Sequence, residues 1–233
     1  MSYEPDVHPV QMTILRELLF VNELNFGKLR KATGVESDSF NFHLKQLLEH
    51  KYVIKNSPGR YSLTAIGKTY ANRMDTEDGT IEKQPKLSVV IIVEDKDGKQ
   101  LFQERLKQPY YGYWGHPTGK IRWGEAMIGA AARELAEETG LEAELRVAGL
   151  YHKLDYDEES KELREDKYFC IIHGTNPKGK LRDSEGCRNE WLNQEEFLQK
   201  EKRFGNHEET NKIIKHPEPV IVEREYYYEP GHY

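Results

Sequence analysis

Three glutamates, Glu134, Glu137 and Glu138, stand at i, i+3 and i+4 of one stretch, so a helix there brings three carboxylates onto one face. Like charges at that spacing weaken a helix. A doubly charged cation reverses the sign of the effect, and carboxylate oxygens suit Mg²⁺ or Mn²⁺ better than zinc. The expected helix runs from about Met127 to Thr139. Gly124 allows a tight approach that brings Glu125 back toward the cluster, and Gly140 stands where a left-handed C-cap belongs. Ile128, Ala131 and Leu135 share the expected core face. Arg133 is placed to orient the carboxylates, with Glu137 at i+4 as a partner. Gly119, without a side chain, lets the backbone approach a metal or a phosphate oxygen. Three glutamates alone would far more often be a solvated acidic helix, so the spacing of the whole run has to decide.

That run reads Gly119, five residues, Glu125, seven residues, then Arg133-Glu134-Leu135-Ala136-Glu137-Glu138-Thr139-Gly140-Leu141. Seven identities at set offsets arise by chance roughly once in a hundred million starting points, which sets the bland reading aside. The segment resembles the signature of Nudix hydrolases, and every fixed position is met. The resemblance covers about residues 86–204. It implies an α/β/α sandwich around a mixed sheet (an α/β, or α+β, fold) and Mg²⁺- or Mn²⁺-dependent cleavage of a phosphoanhydride in a nucleoside diphosphate linked to another moiety. By position it implies Glu134, Glu137 and Glu138 as metal ligands beside the Gly119 backbone, with Glu134 also helping to activate water. Glu125 and Arg133 are implied as supports of the loop and helix. Ser184 to Leu192 resembles a later loop that often adds a carboxylate, which makes Glu185 the candidate extra ligand or general base.

Arg105, Lys120 and Arg122 are the candidates for phosphate contact, with solvated surface charge as the competing reading. Trp114, together with Tyr110, Tyr111, Tyr113 and Trp123, could stack on a base or simply pack. One departure stands beside the motif. The family shows aliphatic-Pro-Gly-Gly where this chain has His116-Pro117-Thr118-Gly119. Thr118 is expected to restrict that turn and His116 to alter substrate preference.

The character of the chain changes across residues 76–85, a polar stretch with Gly79 and Pro85 as breakers that reads as a linker. Through Asp75 there are 10 Lys and Arg against 8 Asp and Glu, and thereafter 24 against 32, an asymmetry that suggests two units with different partners. Residues 1–75 read as three helices, a hairpin turning at Ser57-Pro58-Gly59, and a fourth helix from Ala65 to Met74. Phe40, Leu44, Leu47 and Leu48 form the apolar face of the third helix, capped by Ser37 or Ser39. This unit resembles a winged helix-turn-helix, which implies double-stranded DNA as a partner and a homodimer on a two-fold site. Ser39, Asn41, His43 and Lys45 are its candidate base-reading residues, and Lys28 and Arg60 are candidate phosphate contacts. A dimerisation module is the competing reading, because a net charge of about +2 is weak for binding nucleic acid.

Residues 86–216 read as the catalytic domain. Its strands are expected at Leu87–Val93, Gln100–Arg105, Glu144–Tyr151 and Lys167–His173, with a last helix over Gln194–Lys202. The Tyr- and Pro-rich tail, 217–233, has no readable placement. Aromatic content of 11% argues against disorder, and the net charge of −6 argues against a chain that coats nucleic acid along its length. With two cysteines, no apolar run long enough to span a bilayer and no signal segment at Met1–Asp6, the expectation is a cytoplasmic protein without a membrane partner. The alternative to an active hydrolase is a ligand-sensing transcriptional regulator. The intact carboxylate set favours hydrolysis.

Overall fold

The structure, a computed structural model, describes residues 7–56, 58–75, 77 and 80–229. Met1–Asp6, Ser57 of the expected hairpin turn, Gly79 of the expected linker and the last four residues of the tail lie outside the described residues. The chain divides into two compact units between Lys83 and Gln84.

The first unit holds α1 (Pro9–Leu19), β1 (Leu24–Asn25), α2 (Phe26–Thr33), α3 (Ser37–Glu49), β2 (Val53–Asn56), β3 (Arg60–Leu63) and α4 (Ala65–Ala71). Its strands form a small antiparallel sheet in the order β1-β3-β2. Ile14, Leu15, Leu29, Phe40 and Leu47 are buried together, as their helical spacing requires. Gly34 closes α2 in the left-handed conformation, its N–H bonded to the Arg30 carbonyl. The N-cap of α3 is Glu36, with no side-chain cap bond, rather than Ser37 or Ser39.

The second unit contains β4 (Lys86–Val93), β5 (Gln100–Arg105), β6 (Trp114–Gly115), β7 (Thr118–Lys120), α5 (Met127–Thr139), β8 (Leu141–Asp157), β9 (Leu163–Gly179), β10 (Cys187–Leu192), α6 (Gln194–Leu198), α7 (His207–Lys215) and β11 (Val220–Tyr228). A five-stranded mixed sheet runs β11-β8-β9-β4-β7, and a three-stranded antiparallel sheet runs β10-β5-β6. Both faces of β4 are covered. Val89, Ile91 and Val93 pack with Ala130, Ala131 and Leu135 of α5, while Val90 and Ile92 pack with Ile213 and Ile214 of α7. Burial on two faces explains why β4 is an unbroken apolar run. The α/β/α layering expected from the sequence is therefore present.

Several boundaries differ. Strands β8 and β9 are each 17 residues long, because they pair with each other through bulges well beyond their apolar centres. The helix after β10 stops at Leu198, and α7 is a further helix that the sequence did not announce. Ile128 is half-exposed and Ala130 takes its expected place in the core, because the close packing of α5 on β4 admits a small side chain there. The tail forms β11, parallel to β8. Gly149 makes that pairing possible, since a Cβ there would stand 2.3 Å from the Val220 carbonyl oxygen. Among the described residues no helix is long and apolar enough to cross a membrane.

Candidate active site

Arg133 organises the carboxylate helix. Its Nε and Nη2 donate to the two oxygens of Glu125 at 2.7 and 2.9 Å, a bidentate pair. Nη1 donates to Glu134 at 2.7 Å and to Glu137 at 3.2 Å, and Nη2 also reaches the Lys120 carbonyl at 3.1 Å. Glu125 in turn accepts the Arg122 backbone N–H at 2.9 Å. The Arg133 hydrogen bond, then the Arg122 N–H, hold the Glu125 carboxyl down at about 2, and hydrogen bonds to Glu125, Glu134 and Glu137 push Arg133 up. One side chain thus ties the loop before α5 to the first turns of the helix. Glu125 and Arg133, expected as supports, are hydrogen-bonded to each other within this network.

Gly119 lines the cavity and leaves room for Glu134. A Cβ there would lie 2.0 Å from Cγ of Glu134. The missing side chain is filled by the glutamate, which lies against the β7 backbone in a fixed position. Thr118 sits in β7 opposite Val90 and is not among the residues with a positive φ, so it does not restrict the turn as expected.

Glu134 and Glu138 line one cavity of about 630 Å³ in the second unit, a volume suited to a nucleotide-sized ligand. Burial, moderated by a Gln103 hydrogen bond of 3.0 Å and by Lys107 at 3.8 Å, pushes the Glu138 carboxyl up from its ordinary value, and the nearby Glu134 charge adds to the rise. Glu137 is more than half exposed, pairs with Arg133 and Arg122, and is not among the lining residues. Among the described residues no three His, Cys, Asp or Glu side chains are grouped as a metal site. The chemistry of the donor set nevertheless fits a hard divalent cation. Two carboxylates share the cavity, one desolvated and repelled by the other, and the Gly119 cradle fixes one of them.

Arg105, Lys120 and Arg122 line the same cavity. The Arg105 guanidinium donates to the Gln108 and Pro109 carbonyls, so it also holds the following loop. Two expected residues lie elsewhere. Trp114 is 4% exposed in a cluster with Phe102, Leu192 and Phe197, with the Lys200 ammonium 3.8 Å from its ring centre; it is core rather than a base platform. Glu185 is exposed in the turn between Ser184 and Cys187 and is not among the lining residues. In the first unit, Lys28, Ser39, Asn41 and Lys45 are exposed, whereas His43 is buried against His8 and Arg60 pairs with Glu23 at 3.0 Å. Burial excludes His43 from reading bases. Gln103 and Lys107, which flank Arg105 and contact Glu138, were not singled out by sequence; the alternation of β5 placing 103 and 105 on one face was the available signal.

His116, at the family's aliphatic position, also lines the cavity. It stacks on Phe102 with ring centres 4.4 Å apart, and its Nδ1 lies 3.2 Å from the Leu101 carbonyl oxygen. Burial pushes it down to about 3, against a small opposing effect of that hydrogen bond, so the ring is neutral and Nδ1 is the donor. A histidine depressed from 6.5 contributes stability that is present above 6.5 and lost as pH falls toward 3. His116→Leu should flatten the pH dependence of unfolding free energy across that window, by up to a few kcal/mol. An unchanged slope in denaturant titrations at several pH values would contradict a buried neutral ring.

The sequence model of the NUDIX domain matches residues 84–213, and that of a domain of unknown function, DUF7347, matches residues 7–74. An ADP-ribose pyrophosphatase from Methanocaldococcus jannaschii is 31% identical over 102 residues, which is 42% of this chain and 60% of the relative. An isopentenyl-diphosphate Delta-isomerase from Serratia proteamaculans is 36% identical over 90 residues, 31% of this chain and 48% of the relative. The chain thus spans about half to three fifths of these curated relatives. A crystal structure of a MutT protein from Bacillus halodurans superposes with a TM-score of 0.51 at 22% identity, covering 64% of this chain and 93% of that one, a likeness of fold. The NUDIX match takes in more than half of the sequence and contains the whole carboxylate helix, and the chain belongs to that family.

Proposed function

We propose that the second unit hydrolyses the phosphoanhydride of a nucleoside diphosphate linked to a second moiety, with ADP-ribose as the first substrate to test. The observation that carries this reading is the pair Glu134 and Glu138 facing one cavity ringed by Arg105, Lys107, Lys120 and Arg122. Cations beside these two carboxylates suit a ligand whose negative charge sits beside a cation-binding centre. Both curated relatives carry a diphosphate in their names, and one is named for ADP-ribose.

Glu134 and Glu138 would hold a Mg²⁺ or Mn²⁺ ion, with Glu137 on the same helix face. When bound, such an ion offsets diphosphate charge and acidifies water. The chain's own groups account for the remainder. The cationic rim orients the diphosphate. Arg133, through Glu125 and Glu134, keeps the loop and helix in register. Water oxygen bonds to phosphorus as the bridging P–O bond breaks, and the proton from water passes to a carboxylate. Glu138 suits that role better than Glu185 by position, because it lines the cavity and is held by Gln103, whereas Glu185 is exposed outside it. Glu138→Gln should lower turnover of ADP-ribose with Mg²⁺ by about 10²- to 10⁴-fold, read as release of AMP and ribose 5-phosphate. Undiminished turnover in that variant would refute the assignment.

For the first unit we propose binding to double-stranded DNA. Lys28, Ser39, Asn41 and Lys45 are uncovered there. Binding to a DNA duplex, followed by fluorescence anisotropy, should weaken steeply with added salt and weaken further in Lys28→Ala and Lys45→Ala. Absence of binding at low salt would remove this reading.

A further inference from the structure

The strand β11 lies beyond residue 213, where the NUDIX match ends, yet it lines the cavity through Tyr226 and Tyr228. Side chains alternate along a strand, so these two rings face inward while Tyr227, between them, is half-exposed and stacks on Tyr156 at 5.2 Å. The Lys153 ammonium stands 5.2 and 5.1 Å from the ring centres of Tyr226 and Tyr228 and pairs with Asp155 at 2.7 Å. Beside it on β9, Lys167 pairs with Glu165 at 2.9 Å, and both line the cavity. The Tyr226 hydroxyl is fixed by Tyr151 at 2.6 Å.

Each cation here has a carboxylate partner. The patch is therefore poorly suited to a second phosphate and well suited to a neutral group with both donors and acceptors. Aromatic faces add attraction for a flat ring, because stacking works for any π-system. Further rings line the same cavity: Tyr110, Tyr113 and Phe204, with centres 5.3 to 5.5 Å apart.

We propose that β11 supplies the nucleobase wall of this site: Tyr226 and Tyr228 pack against the base, and Lys153, Glu165 and Lys167 hydrogen-bond its edge. This rests on the reading of the substrate as a nucleotide derivative, but not on turnover.

AMP and ribose 5-phosphate differ at C1, which carries adenine in one and a hydroxyl in the other, and neither has an anhydride to cleave. Their affinities for the full chain, measured by calorimetry, isolate the contribution of the base. AMP should bind at least about tenfold tighter than ribose 5-phosphate. Tyr228→Ala should bring that ratio close to one by weakening AMP alone, whereas Tyr228→Phe should keep it, because the ring is retained. Tyr227→Ala, on the outward face of the same strand, should leave it intact. Lys167→Met should lower the ratio without removing a ring, which guards against an effect of strand β11 unravelling in Tyr228→Ala. Equal affinity of the two ligands in the unaltered chain, equal weakening of both by Tyr228→Ala, or an unchanged ratio in that variant would each overturn the proposal. Failure of hydrolysis reads differently: ADP-ribose would stay intact with Mg²⁺ while the AMP preference persisted.

Discussion

The site depends on a single guanidinium. Arg133 spends its planar fork on Glu125 and its remaining donors on Glu134, Glu137 and a loop carbonyl. Without it, the loop from Gly119 to Glu125 and the helix that follows would keep the exposed Arg122–Glu137 pair and the packing of Glu134 on Gly119, but the glutamates would repel one another along one face. Lysine could supply charge there but not the planar, multi-donor geometry. The Gly119 cradle works with this fork: one fixes the head of Glu134 and the other leaves room for its stem.

The sheets turn that local frame into a cavity. β4, covered by α5 on one face and α7 on the other, anchors the mixed sheet. β7 pairs at its edge and carries Gly119 to the carboxylate helix. The separate sheet β10-β5-β6 presents Gln103 and Arg105 toward the same space, and Gln103 closes the arrangement by bonding Glu138. Ionic and aromatic groups from β8, β9 and β11 make up another wall. Backbone pairing between residues distant in sequence thus sets which charges meet.

What was legible in the sequence was what local spacing encodes. The carboxylate helix, its glycine stop and the apolar run of β4 follow from periodicities of 3.6 and 2 and from the conformational freedom of Gly140. The pairing of Glu125 with Arg133 follows the fixed offset between them in the motif. Trp114 and His43 misled because both residue types serve in cores as well as at binding surfaces, and both lie on the core side of their elements. Glu185 misled because a loop's reach depends on where its strand pairs, here β10 against β5. Ile128 misled by two residues, since packing against β4 selected alanine at 130. The tail was unreadable for the same reason as the cavity wall: its partner, β8, lies some seventy residues earlier, and no local pattern announces a parallel pairing.

The central claim is that Glu134 and Glu138 form a cation-binding pair within a rigid frame. Mn²⁺ titration followed by electron paramagnetic resonance measures this directly, because bound and free Mn²⁺ differ in signal. Saturable binding to the full chain that is lost in the Glu134→Gln, Glu138→Gln double variant, with folding retained, is the expected result. Mn²⁺ binding of equal strength in that double variant would contradict the account.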